Sequence, residues 1–505
     1  PRMRKVHTAC FALAMMLATG AAHAAGTLRI GLNEDPDLLD PARAGSYVGR
    51  IVFAAMCDKL IDIDAKLAFV PQLATSWEWS KDNLALTMHL RPGVKFQDGE
   101  PMDARAVQVN IDRYRTAPYS LRKGEVAAVK SVEVVDPLTV VLHLSHPDAP
   151  LLAVLADRAG MMLSPKALAQ YGDKVFEHPV CAGPFKLTER VAQDHITLDR
   201  FPGYWDAKNI FLDRITYQPI PDTTVKLVNL ESGQLDLIER MAATDAPAVK
   251  KNPKLKLYAQ PGVAYQSILF NVGHGPAAQT PLGQDARVRE AFAKSIDRAA
   301  LNQVVFDGAQ TPSNQFEAPH TPYWDPAFPV PPRDLEGARK LLKEAGQTRV
   351  PVSLLVANSP DSKQVGELIQ SMAGEAGFDV KLRVEEANAG VAAAKSGDFQ
   401  AFGVIWSGRA DPDGNVSIWL SKKGFLNWGN YDNPQYDDLL AQARAVTDMG
   451  QRKALYAKAD AIFQHDVPMM VLFHQTWLFA ASTKVSGFTP VPDGLIRPQG
   501  IKLAN

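Results

Sequence analysis

Cysteine is scarce in this chain: there are three in 505 residues, and none forms a C-x-x-C pair. That argues against a thioredoxin-like redox motif and a cysteine-paired zinc module. An excess of charge of one sign is also lacking. The formal net charge is −1, so there is no electrostatic footprint for nucleic acid or an anionic membrane as a partner. The signatures G-x-S-x-G, H-E-x-x-H and the P-loop are absent, as are internal repeats and low-complexity tracts. No cofactor and no metal site is expected, and no nucleophile–base pair stands out. What the chain does have is 46% hydrophobic and 22% charged residues, a composition that suits a soluble globular protein with a large core. At about 150 residues per domain, its length points to roughly three domains.

The first residues read as a targeting segment. Arg2, Arg4 and Lys5 precede an apolar run over 9–17, and Ala22-His23-Ala24 is a small-x-small cleavage site. Residues 1–24 are therefore expected to be a signal peptide, with a mature start at Ala25. A membrane anchor is the alternative, but it needs about 20 apolar residues and this run is shorter. Taking those three basic residues from 54 leaves 51 against 55 acidic ones, a net of −4. Export implies an oxidising compartment. Cys57 and Cys181 then remain, and two readings stay open: a disulfide, or two buried free thiols.

The most informative run is 70–114. Ser76-Trp77-Glu78-Trp79 reads as an aromatic strand, and a polar turn follows at 80–83. Over 84–90 the side chains alternate, with Leu84, Leu86, Met88 and Leu90 on one face. The two runs together predict a hairpin. Asp103 is placed to cap a helix in which Val107, Ile111 and Tyr114 recur near helical spacing. The order Pro-x-Leu-Ala-x-Ser-Trp, Leu-Arg-Pro-Gly-Val-Lys-Phe-x-Asp-Gly and a helix ending Asp-Arg-Tyr resembles the signature of the peptide/nickel-type (family 5) extracellular solute-binding proteins. Those are periplasmic receptors of ABC importers.

The resemblance implies an α/β fold of the periplasmic-binding-protein-like type II (cluster C) class. Two lobes would flank a hinge-region cleft, with an extra small α+β domain. It divides the mature chain into lobe I (25–64, 174–270 and 477–505), the small domain (65–173) and lobe II (271–476). The residues agree in outline. Strands are expected at 27–32, 213–221 and 233–237, with a helix at 223–232, in the manner of a parallel βαβ unit. A helix is expected over 48–60. Further strands are expected at 265–271, 352–357, 380–385, 399–406 and 468–474, with helices at 287–296, 335–345, 363–376, 436–445 and 452–466.

Ligands of open α/β sheets sit beyond the carboxyl ends of strands. The apolar run 402–406 ends in such a place, in the loop Ser407-Gly408-Arg409. Trp406 offers a flat wall with one donor, and Arg409 a planar fork suited to a carboxylate. The loop resembles the family's Trp-x-Gly segment followed by an Asp-Pro-Asp turn. In dipeptide-type receptors an aspartate shortly after that segment holds the ligand's ammonium. Here Arg409 follows Gly408 directly, and Asp411 belongs to the Asp-Pro-Asp turn. An arginine cannot pair with an ammonium, so an anionic or carbonyl group is expected opposite it. The competing reading is that Arg409 pairs with Asp411 or Asp413 and stiffens the loop. The resemblance adds Ser46, Tyr47 and Trp428 as cleft residues. Asn271, at the crossing into lobe II, and Arg240, in the loop after Leu237, are further candidates.

The expected function is therefore a receptor, not an enzyme. It would capture a peptide-like, carboxylate-bearing solute and deliver it to an inner-membrane permease with its ATPase subunits, acting as a periplasmic monomer. Three rivals are a receptor for a non-peptide solute (an opine, glutathione-like conjugate, sugar acid or metal chelate), a cleft hydrolase, and a receptor that binds without transport.

Overall fold

A computed structural model describes residues 26–504, and the expected signal peptide lies outside them. The frame is an eleven-stranded sheet that runs through both lobes. Two long antiparallel strands, Leu255–Phe270 and Met469–Ser482, form its middle. In the first lobe, residues 255–261 pair with 476–482. Beyond them come Leu237–Ile238, Thr27–Leu32, Arg214–Pro219, His195–Arg200 and Phe185–Val191. In the second lobe, residues 265–270 pair with Ala401–Trp406, followed by Val350–Ala357 and Phe378–Glu385. Thr27–Leu32 lies parallel to both Arg214–Pro219 and Leu237–Ile238, and the helix Thr223–Glu231 makes the crossover.

The reading from sequence saw only parts of the two crossing strands, near 265–271 and 468–474. Pro261-Gly262 looks like a strand breaker. The structure tolerates it because the pair falls at a bulge, where register shifts between Pro261 and Tyr265 and the ladder is already interrupted. Gly262 is needed there, since a Cβ would run into the Trp477 indole.

The expected hairpin forms from Ala74–Trp79 and Ala85–Leu90, and Thr139–Leu144 and Val129–Asp136 complete a four-stranded antiparallel sheet. Leu86, Met88 and Leu90 point inward with Val140 and Leu142. They meet Val107, Ile111 and Tyr114 of the helix Ala104–Thr116, which the Asp103 side chain caps. Elsewhere the expected helices appear within a few residues of their bounds, as Ala286–Lys294, Leu335–Glu344, Pro360–Ala376, Pro434–Ala445 and Met449–Asp466. Among the described residues no helix is long and apolar enough to cross a membrane.

The helix expected over 48–60 is shorter, Tyr47–Met56, because Cys57 turns extended and joins Cys181 in a disulfide across 124 residues. The Gln97 amide backs this seam. Its nitrogen donates to the carbonyls of Met56 (2.9 Å) and Phe185 (2.8 Å), and its oxygen accepts from the Cys181 N–H (2.9 Å). Closing so long a loop removes entropy from the unfolded chain. We expect the double variant Cys57→Ser, Cys181→Ser to lose about 2–4 kcal/mol in urea denaturation. An unchanged midpoint would mean that Gln97 and the surrounding packing hold the seam alone.

Candidate functional site

The strand Ala401–Trp406 delivers its last residue to the junction of the lobes. Gly408 follows with φ +76°, and a Cβ there would strike the carbonyl of Val263 in the crossing-strand bulge. The tight passage turns Arg409 inward. Its backbone N–H is pinned by Asn415 Oδ1 at 2.7 Å, and its Nη1 donates to the carbonyl of Gly408 (2.7 Å) and to Ser407 Oγ (3.1 Å). The guanidinium lies 4.4 Å from the centre of the Trp406 ring.

Arg409 does not turn back on its own loop. Asp411 is held at 2.6 and 2.9 Å by the buried Arg452, and Asp413 by Arg444 at 2.7 Å. The Arg409 partner is Asp157, on the other side of the junction, at 2.7 Å from Nε. The second oxygen of Asp157 accepts from Arg50 Nε at 3.0 Å, and Arg50 also reaches Ser407 Oγ at 3.3 Å. Asp157 sits just before the short turn Arg158–Gly160. A Cβ on Gly160 would collide with the carbonyl of Leu155, so the close turn that presents Asp157 depends on that glycine. Burial alone would raise the Asp157 pKa. The cations of Arg409, Arg50, Arg158 and Arg122 outweigh burial and hold it well below the usual carboxylate range. Arg409 is pushed down to about 10 by burial, with Asp157 opposing, and stays charged at neutral pH.

Arg50, Asp157, Val263, Arg409 and Asp493 line a gap of about 20 Å³, room for about one water. At this point the two sides of the junction leave no room for anything of peptide size.

The expected residues scatter around this gap. Trp406, Ser407 and Arg409 stand at it. Tyr47 is beside it in the first lobe, stacked on Trp477 at 4.9 Å with its hydroxyl donating to the carbonyl of Gly494 at 2.7 Å. Ser46 caps the helix Tyr47–Met56 and bonds Asp37 at 2.8 Å. Arg240 pairs with Glu239 at 2.6 Å and lies over the Tyr47 ring. Asn271 fastens the turn that leaves the crossing strand, donating to the carbonyls of His274 and Phe399 at 2.9 Å. Trp428 stands edge-on to the buried Trp419 at 5.7 Å, in the second-lobe core. The sequence reading missed Arg50 and Asp157. Their signal was present: Arg50 stands alone in the apolar run YVGRIVF, and Asp157 ends the apolar run LLAVLA beside Arg158.

A second contact crosses the junction. The Ala149 N–H donates to the carbonyl of Arg444 at 2.8 Å, and Asp148 is buried beside Asp413. Burial pushes Asp148 up to about 7. Asp413 and Asp411 add to the rise, and Arg444 and Arg452 oppose it.

The bacterial extracellular solute-binding protein family 5 model matches residues 68–427. The glutathione-binding protein GsiB of Pectobacterium atrosepticum is 31% identical over 474 residues, 90% of each chain. Two solved structures superpose with a TM-score of 0.85. One is DppA from Helicobacter pylori in complex with a peptide (25% identical, 96% of this chain and 99% of that one). The other is AgaA from A. tumefaciens in complex with agropinic acid (26% identical, 95% and 99%).

Asp148 gives the closed form a pH dependence. An exposed carboxyl titrates near 3.9, so we expect that parting the Ala149–Arg444 contact lowers this pKa and that the closed form binds the proton more tightly. Closure is favoured on the acid side and loses ground as pH rises through about 7. From about pH 5 to 9 the loss should be on the order of 1–3 kcal/mol, and Asp148→Asn should flatten it. The readout is the radius of gyration in small-angle scattering across that range. An identical profile in the variant would assign the dependence elsewhere.

Proposed function

The chain belongs to the bacterial extracellular solute-binding proteins of family 5, and from that premise we propose that it closes on a carboxylate-bearing solute of peptide size, with Arg409 as an anchor. It is a receptor that binds peptides or related solutes for ABC import. The observation that carries the acidic character is Arg409 itself: a buried guanidinium at the junction of the lobes, with an acid as its partner. A guanidinium fork matches a carboxylate and repels the free amino terminus of an ordinary peptide. Closure would bury the solute against Trp406 and the first-lobe wall around Tyr47, with a few placed polar groups setting its orientation. Ser46, Arg240, Asn271, Asp411 and Trp428 act behind that surface, as supports for the loops that form it.

The name of the Pectobacterium relative makes glutathione the first solute to test. The agropinic acid held by AgaA keeps a non-peptide acid as the second reading, favoured by the absence of an ammonium-binding aspartate directly after Gly408. A hydrolase reading has less support. Ser407 Oγ accepts from the guanidiniums of Arg50 and Arg409, which are not bases. We further propose the domain division given above, a periplasmic location after removal of the leader, and delivery by a monomer to a permease with ATPase subunits.

Isothermal titration of glutathione and of neutral dipeptides into the wild type and Arg409→Ala tests the anchor. The acidic peptide should lose about 1.5–3 kcal/mol in the variant, the range for a hydrogen bond to a charged group. Equal affinity in both proteins would sink the anchor. Stronger binding of neutral dipeptides than of acids would sink the acidic ligand.

A further inference from the structure

We propose that the cleft holds a second anion position, built by Arg122 and Arg158, and that the captured solute therefore carries two carboxylates. This rests on the junction being the solute site, and it names the solute's class more closely.

The argument is one of charge and burial. Arg122 and Arg158 are only 2% and 3% exposed. The Nε of each is buried without a hydrogen-bond partner among the described residues. Arg122 shares Glu125 at 2.7 Å through Nη1, and its Nη2 lies 3.4 Å from the carbonyl oxygen of Ala44. Arg158 has less. Its Nη2 reaches the carbonyls of Gly45 and Ser46 at 3.4 and 3.3 Å, the long end of a hydrogen bond, and among the described residues no carboxylate pairs with it. Its sequence neighbour Asp157 has both oxygens committed to Arg50 and Arg409.

Asp493, which also lines the gap, is already engaged, as is Asp62. Asp62 and Asp493 are held by Arg497 at 2.8 Å each, and Lys59 adds a second cation on Asp62. The charges of four guanidiniums, Arg50, Arg122, Arg158 and Arg409, thus act on Asp157, while Arg122 and Arg158 meet at the adjacent carbonyls of Ala44, Gly45 and Ser46 with Glu125 as the one carboxylate paired to either of them among the described residues. Burial and the repulsion of Arg122 push Arg158 down to about 9, so it remains a cation at neutral pH. Burying a cation without its counter-ion is strongly unfavourable. Two positive charges stay uncompensated. Arg409 belongs to the second lobe, and Arg122 and Arg158 to the segment packed on the first. A solute with a carboxylate at each would tie the parts together as they close. One with a single carboxylate would leave a buried guanidinium unpaired and be rejected for it.

The test is a binding panel on the mature protein. Glutathione and N-acetyl-alanyl-glutamate are titrated beside their singly amidated forms, with neutral dipeptides as a third group. The wild type should prefer each diacid over its mono-amide by about 30-fold or more. Arg158→Gln, and separately Arg122→Gln, should cut diacid affinity about tenfold or more while leaving the mono-amides within twofold, so that the preference collapses. If either variant fails to fold, the wild-type preference alone decides. Mono-amides binding as tightly as diacids would overturn the second anion position and leave the receptor reading intact. If no member of the panel, neutral dipeptides included, binds or shifts the melting temperature, the proposed ligand class falls as well.

Discussion

A carboxylate buried among guanidiniums organises the junction of this molecule. Asp157 has one oxygen on Arg50 and the other on Arg409, so a single acid joins the first lobe to the second. Two arginines brought this close in a narrow buried gap repel strongly unless an anion lies between them. The shut arrangement therefore depends on a negative charge at this spot. The rest of the neighbourhood serves that placement: Gly160 lets the Asp157 turn close, Gly408 lets the Arg409 loop pass the Val263 carbonyl, and Trp406 gives the guanidinium a flat face to rest on.

The lobes are not separate bodies joined by a loose tether. The strands Leu255–Phe270 and Met469–Ser482 each run through both, hydrogen-bonded to one another on either side of the bulge near Gly262. Opening then means bending a two-stranded ribbon where its ladder is already broken. The first-lobe side of that bend is stiff. Tyr47 stacks on Trp477, and the Trp477 indole donates to the carbonyl of Pro492 at 2.8 Å. The contacts that hold the junction itself, by contrast, are ionic.

Much of this was readable before any coordinates. The hairpin around Trp79 and Leu86 announces itself by alternation, and the helix after Asp103 by its cap and its spacing, because in both places local chemistry and burial agree. Legibility ended where a residue's partner is distant in sequence. The residues before Tyr265 read poorly as a strand, since Pro261-Gly262 breaks the pattern and only Met469–Ser482, some two hundred residues on, supplies the ladder. Cys57 and Cys181 gave an even count but no pairing, because spacing carries no distance. Arg409 could be chosen for its chemistry, yet its partner could not. Asp411 and Asp413 were the near candidates, and they turned out to be engaged by Arg452 and Arg444. Asp157 and Arg50 escape a reading by sequence because their burial, which is what marks them, is not visible there.

The path of the crossing strands also dictates an order of assembly. In the first lobe, residues 476–482 lie between Leu255–Phe270 and Leu237–Ile238, well inside the sheet. A chain emerging from its amino end can build the small four-stranded sheet early, since all four of its strands lie within residues 74–144. The larger sheet has to wait. Its first-lobe half stays split until residues 476–482 are in place between those two strands.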